Sequence, residues 1–177
     1  MAEKAITARL LAEQLVSGVL KAMASDPKPP CDGGSKPMWN VAVRSVLRDM
    51  GTNFGYRTYL EWCRLDVMWW GKSPERMMLV AESEMASHID GVEDDFEKMP
   101  SYKCPFKLLV FSTDVEGVKK NAEGYLQLFG QHVKDEEYLL IGFTASGPRC
   151  PYFKVPTDGK LDRVEFTELR FGQQTAA

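Results

Sequence analysis

Two apolar runs, LEWCRLDVMWW (60–70) and RMMLVAESEM (76–85), stand on either side of GKSPE and constrain the fold more than any other part of the chain. Both are dense in aromatic and aliphatic residues, and the Gly/Pro-containing segment between them marks a turn. They read as a long strand, YRTYLEWCRLDVMWW, with RMMLVAESEM as its returning partner. Strand interiors disfavour Asp and Glu, yet the first strand carries Asp66 and the second carries Glu82 and Glu84 one residue apart. A desolvated carboxylate is costly unless something compensates it, so three acids in one small region ask for a cation.

The flanking segments supply the rest of the architecture. Residues 4–24 carry Ile6, Leu10, Leu11, Leu15, Val16 and Leu20 at helical spacing. SDPKPPCDGGSKP (25–37) is a Pro/Gly-rich loop, and a second helix runs from about Met38 to Met50 and stops near Gly51 and Gly55. After the hairpin, SHIDGVEDDFEKMPSYK reads as a short helix with Ile89, Val92, Phe96 and Met99 on one face. PFKLLVFST is a buried strand, EGVKKNAEGYLQLFGQHV an amphipathic helix and EYLLIGFTAS another buried strand. Shorter strands are expected in PYFKV and DRVEFTEL, and GQQTAA (172–177) reads as a disordered tail. A hairpin followed by strand–helix–strand crossovers predicts an α/β protein, a mixed β-sheet flanked by helices, in a single domain spanning 1–177.

Composition sets outer limits. The 177 residues are 44% hydrophobic and 27% charged, which suits one globular core. A net charge of -3 gives no global basic field, although a local basic patch is compatible with it. Cys31, Cys63, Cys104 and Cys150 are scattered without a CxxC pair, so reduced thiols in a cytoplasmic protein are expected. The N-terminal segment intersperses charges among its apolar residues, unlike a signal peptide. No stretch approaches the roughly 18 apolar residues of a membrane span.

Residues two apart in a strand share a face, so Glu82 and Glu84 point the same way. If Trp70 pairs with Arg76, Asp66 lies opposite Val80 and diagonal to Glu82, on the same face. Three such carboxylates fall within reach of one Mg²⁺ or Mn²⁺ ion, which prefers hard oxygen ligands and can activate water at a phosphodiester. Spacing alone equally allows solubilising acids on an edge strand, and a shift of one residue would put Asp66 on the other face.

LEWCRLDVMWW, MMLVAESEM, a helix containing DDFEKM and PFKLLVFST together resemble the core of the PD-(D/E)xK nuclease superfamily, over about Met38 to Thr113. In that family a helix precedes a hairpin bearing an Asp and then an acid-x-Lys triplet, and a further helix leads to the next buried strand. The resemblance implies a restriction-endonuclease-like core, a nucleic-acid partner, DNA or RNA, and Mg²⁺- or Mn²⁺-dependent hydrolysis. Asp66 matches the metal-binding aspartate and Glu82 the acid of the triplet. Glu84 stands where the lysine is usual, as a third metal ligand or proton acceptor, and Lys98 on the following helix is the candidate migrated lysine. The resemblance leaves two readings: a metal-dependent nuclease with Asp66, Glu82, Glu84 and Lys98 at its site, or a catalytically idle relative that binds or assembles. A homodimer is compatible with either.

Other residues have plainer readings. Lys103 and Lys107 are alternative cations for the site, though surface lysines are normally solvated. Arg64 shares the Asp66 face, whereas strand alternation sets Glu61 on the opposite one. Glu13 reads as a solvating residue of the first helix and His88 as a polar turn residue. Trp39, Trp62, Trp69 and Trp70 read as core aromatics in preference to base-stacking ones.

Overall fold

The computed structural model describes residues 6–25, 27–85, 88–158, 161 and 163–170; the expected C-terminal tail lies outside these residues. Among the described residues four α-helices form: α1 (Ala8–Ala22), α2 (Lys36–Asn53), α3 (Ile89–Lys98) and α4 (Val115–Leu128). The strands are β1 (Arg57–Trp62), β2 (Leu65–Trp70), β3 (Met77–Glu84), β4 (Phe106–Phe111), β5 (Glu137–Thr144), β6 (Gly147–Arg149), β7 (Pro151–Lys154) and β8 (Thr167–Glu168).

These strands make one mixed sheet in the order β1-β2-β3-β4-β5-β7-β8, with β6 also pairing to β5. The centre, β3-β4-β5, is parallel because α3 and α4 carry the chain back across the sheet, and the two flanks are antiparallel. Every residue of β4 is buried, as a central strand covered on both faces requires. Helices α1 and α2 bring Leu11, Leu15, Trp39, Val43 and Leu47 to one face, against Val67, Trp69, Leu79 and Leu108. On the other face α3 and α4 bring Val92, Phe96, Val118 and Leu126 to Met68, Val80, Leu109 and Tyr138.

Local chemistry fixes the placement of α2. Trp69 Nε1 donates to the Leu47 carbonyl at 3.1 Å, and Gly51 lets the helix approach, since a Cβ there would overlap Thr58 and Trp69. Asp114 caps α4 by accepting from the amides of Glu116 and Gly117.

The sequence reading is corrected at several points. Its long first strand is a hairpin: β1 turns into β2 through Cys63 and Arg64, whose φ angles of 54° and 63° are those of a type I′ turn. Neither residue is the Gly or Asn that normally marks such a turn. A bulge at Trp69/Trp70 pairs Trp70 with Met77 instead of Arg76 and Met68 with Val80, so Asp66 lies two residues further along β3 than expected. Part of the 25–37 loop is ordered, with a 3-10 turn at Pro30–Asp32 and α2 already begun at Lys36. Helix α4 ends at Leu128, where Phe129 turns extended, short of the expected 133.

Lys107 departs furthest from expectation. Its side chain is fully buried on β4, with Nζ 2.8 Å from Glu136 Oε1 and donating to the Cys104 carbonyl at 3.1 Å. Tyr138 donates its hydroxyl to the other Glu136 oxygen at 3.3 Å. A buried ammonium is tolerable here because it is paired, and this pair holds β4 to the approach of β5 at a distance from the hairpin acids.

Candidate functional site

Beyond the Val67↔Ala81 pair the β2–β3 ladder gives way to bonds made by side chains. The Asp66 amide donates to Glu82 Oε2 at 3.2 Å, and the Ser83 amide donates to Asp66 Oδ2 at 2.9 Å. Each carboxylate thus ties its own strand to a backbone amide of the other, and the strand ends open into a cleft of about 400 Å³.

Helix α2 forms one wall. Lys36, Asn40 and Arg44, four residues apart, lie in one stripe on its surface. Lys36 pairs with Glu84, Asn40 accepts from the Ser83 hydroxyl at 3.1 Å, and Arg44 stands 3.7 Å from Asp66 Oδ1. Helix α3 forms the other wall, where Lys98 donates to Asp95 at 2.6 Å and to Glu82 Oε1 at 3.4 Å. The hairpin tip closes the third side with Glu61 and Arg64.

The electrostatics follow from this crowding. Burial, with the nearby charges of Asp95 and Asp66, pushes the Glu82 carboxyl up to about 7, against a smaller opposing pull from Lys98. Burial also raises Asp66, partly offset by the Ser83 amide and Arg44. Burial works against the charged form of Lys98, but its bonds to Asp95 and Glu82 raise it overall, so it stays protonated at neutral pH. Glu82 is 4% exposed and faces acids on two sides, which leaves it the acid most in need of positive charge.

Asp66, Glu82, Glu84 and Lys98 all line the cleft, as does Arg64. The three hairpin carboxylates do not form one ligand set, because Glu84, at the last position of β3, is drawn to Lys36; among the described residues no three His, Cys, Asp or Glu side chains are arranged to hold an ion. Glu61 is not turned away from Asp66 as alternation predicts: the chain reverses at Cys63–Arg64, and Arg44 bridges the two acids at 2.7 and 3.7 Å. Lys103 is engaged elsewhere, donating to the Gln131 carbonyl at 2.7 Å, and Glu13 pairs with Arg9 on the exposed face of α1. His88 is an exposed residue at the start of α3.

The sequence reading missed Lys36, Asn40, Arg44 and Asp95. The first three carry a legible signal, a polar stripe at four-residue spacing beside the buried Trp39, Val43 and Leu47 of the same helix. Asp95 lies three residues before Lys98, a spacing that brings two helical side chains together.

No protein-family model, curated protein or solved structure matches this chain. Fold and site define its class on their own: an α/β protein with a mixed sheet, whose β2 and β3 ends meet α2 and α3 around a carboxylate–lysine cleft. Among the described residues no helix is long and apolar enough to cross a membrane.

Proposed function

We propose that this protein is a divalent-metal-dependent phosphodiesterase acting on nucleic acid, with Asp66, Glu82 and Lys98 at its centre. The observation that carries the reading is the meeting of these three side chains, from β2, β3 and α3, in one open polar cleft. The order α2-β1-β2-β3-α3-β4, with Asp66 on the hairpin and Glu82 on the strand after it, supports a restriction-endonuclease-like core.

The donor set fits Mg²⁺ or Mn²⁺. Such ions are commonly held by one or two carboxylates together with waters and substrate phosphates, and a full cage of protein ligands is unnecessary. Asp66 and Glu82 supply two hard oxygen donors at the floor of a cleft wide enough for the remainder, and the raised Glu82 carboxyl is the group that positive charge would relieve. A bound ion supplies an activated water and neutralises charge on the phosphodiester.

The remaining work falls to the chain. Water attacks phosphorus and the bond to the leaving sugar oxygen breaks, giving a phosphate monoester and a hydroxyl. Lys98, fixed by Asp95, presents a permanent cation to the anionic oxygens that develop. Arg64 offers a guanidinium at the rim for a neighbouring phosphate. Glu84, neutralised by Lys36, positions the mouth of the cleft and takes no part as a ligand.

One observation favours the second reading, a catalytically idle protein that binds or assembles: Arg44 and Lys98 already give Asp66 and Glu82 internal counter-charges. A panel of duplex, branched and single-stranded DNA and RNA incubated with Mn²⁺ separates the two. Cleavage that disappears in Glu82→Gln supports hydrolysis, and an intact panel gives the idle reading the lead.

A further inference from the structure

The outer strand β1 carries an apolar surface that the cleft does not explain. Tyr59, Leu60 and Trp62 are 37%, 42% and 47% exposed, whereas Trp39 and Trp69 are buried in the core. Residues three apart in a regular strand point to opposite faces. Here Glu61 adopts a left-handed φ of 50°, which turns the alternation over and brings the Tyr59 and Trp62 rings to 5.5 Å, tilted by 32°. Left-handed backbone at a non-glycine residue is costly and tends to persist where a site uses it.

The ring pair is continuous with the cleft. Tyr59 lies opposite Met68 and Trp62 opposite Leu65, both of which belong to the sheet face covered by α3 and α4. Glu61 and Arg64, on either side of Trp62 in the hairpin, line the cleft itself. Arg64 is exposed and makes no ion pair among the described residues, so its charge is available to a phosphate beside the rings.

We infer that Tyr59 and Trp62 form a stacking platform for the bases of single-stranded nucleic acid, DNA or RNA, whose backbone passes Arg64 into the cleft. The inference rests on the phosphodiesterase reading and names its substrate class. Every base has a π-face, and a splayed strand presents it while a duplex keeps it stacked inside. A second copy pairing along the β1 edge fits less well, because the left-handed Glu61 interrupts the extended backbone that a partner strand requires. Arg57 and Glu61 also place charged pairs along that edge.

Fluorescence anisotropy in EDTA, with labelled oligodeoxyuridylate, oligouridylate and a duplex of about 12 nucleotides, tests the platform in the intact protein without cleavage. The parent should bind the single strands more tightly than the duplex, and the tighter of the two single strands identifies the preferred sugar. Tyr59→Ala and Trp62→Ala should each lose about tenfold or more, with Trp62→Phe retaining most of the affinity and all variants keeping the parent melting temperature. Unchanged binding in folded Ala variants, a preference for duplex, no binding by the parent, or a parent dimer that Trp62→Ala dissociates would each overturn the inference. Cleavage with Mn²⁺ is scored separately. Ring-dependent binding by a protein that cuts nothing removes the hydrolysis reading and keeps the platform, and cleavage indifferent to the rings does the reverse.

Discussion

Asp66 and Glu82 hold each other's strands: the Asp66 amide donates to the Glu82 carboxylate at 3.2 Å, and the Asp66 carboxylate accepts from Ser83, the residue after Glu82, at 2.9 Å. The same two side chains thus close the hairpin ladder and form the floor of the cleft. One oxygen of each carboxylate is committed to the backbone, which fixes its direction, and the other is left to Arg44 or Lys98. Preorganisation of this kind is what a site for a small hard cation needs.

Glu82 makes stability depend on pH in a defined direction. An unfolded glutamate ionises near 4.5, whereas the folded Glu82 holds its proton up to about 7. Its contribution is therefore fully present below pH 4.5 and is lost as pH rises through 7, a change of roughly 3 kcal/mol. Urea denaturation in EDTA should show the parent losing that much against Glu82→Gln between pH 4.5 and 8, and parallel pH profiles would refute the assignment.

Glu84 is expected to be dispensable for metal. Its carboxylate is engaged by Lys36, so Glu84→Gln should change Mn²⁺ affinity by less than about threefold, while Asp66→Asn should lower it by about tenfold or more. Titration calorimetry on the three proteins checks this. An equal loss in Glu84→Gln would return Glu84 to the ligand set.

Lys107 and Glu136 bear on folding and leave the cleft untouched. Lys107→Met strands a buried carboxylate and should cost about 3–5 kcal/mol, whereas Lys107→Met combined with Glu136→Leu should recover most of the loss. Equilibrium unfolding measures both, and a double variant no more stable than the single would show that the pair is not the source of the cost.

Much of the architecture was legible because strong periodicity and burial agree. The apolar runs of β4 and β5 are central strands, and the helical spacing of α1 and α4 gives covering helices. The β1–β2 turn was not legible, since Cys63 and Arg64 take up left-handed backbone without the Gly or Asn that advertises it. That turn also hid the exposure of Trp62 and the approach of Glu61 to Arg44. At the site, Asp66, Glu82 and Lys98 stood out because charged residues interrupt apolar strands or follow them. Arg44 and Asn40 did not, because polar residues on a helix are ordinary until a facing partner is known.

The initial rate of Mn²⁺-dependent cleavage of single-stranded nucleic acid by the parent, Asp66→Asn, Glu82→Gln and Lys98→Gln tests the account most directly. Cleavage by the parent that falls at least about 100-fold in each variant, with the folded state retained, is the predicted result. A parent without cleavage, or variants that cut as fast as the parent, would contradict it.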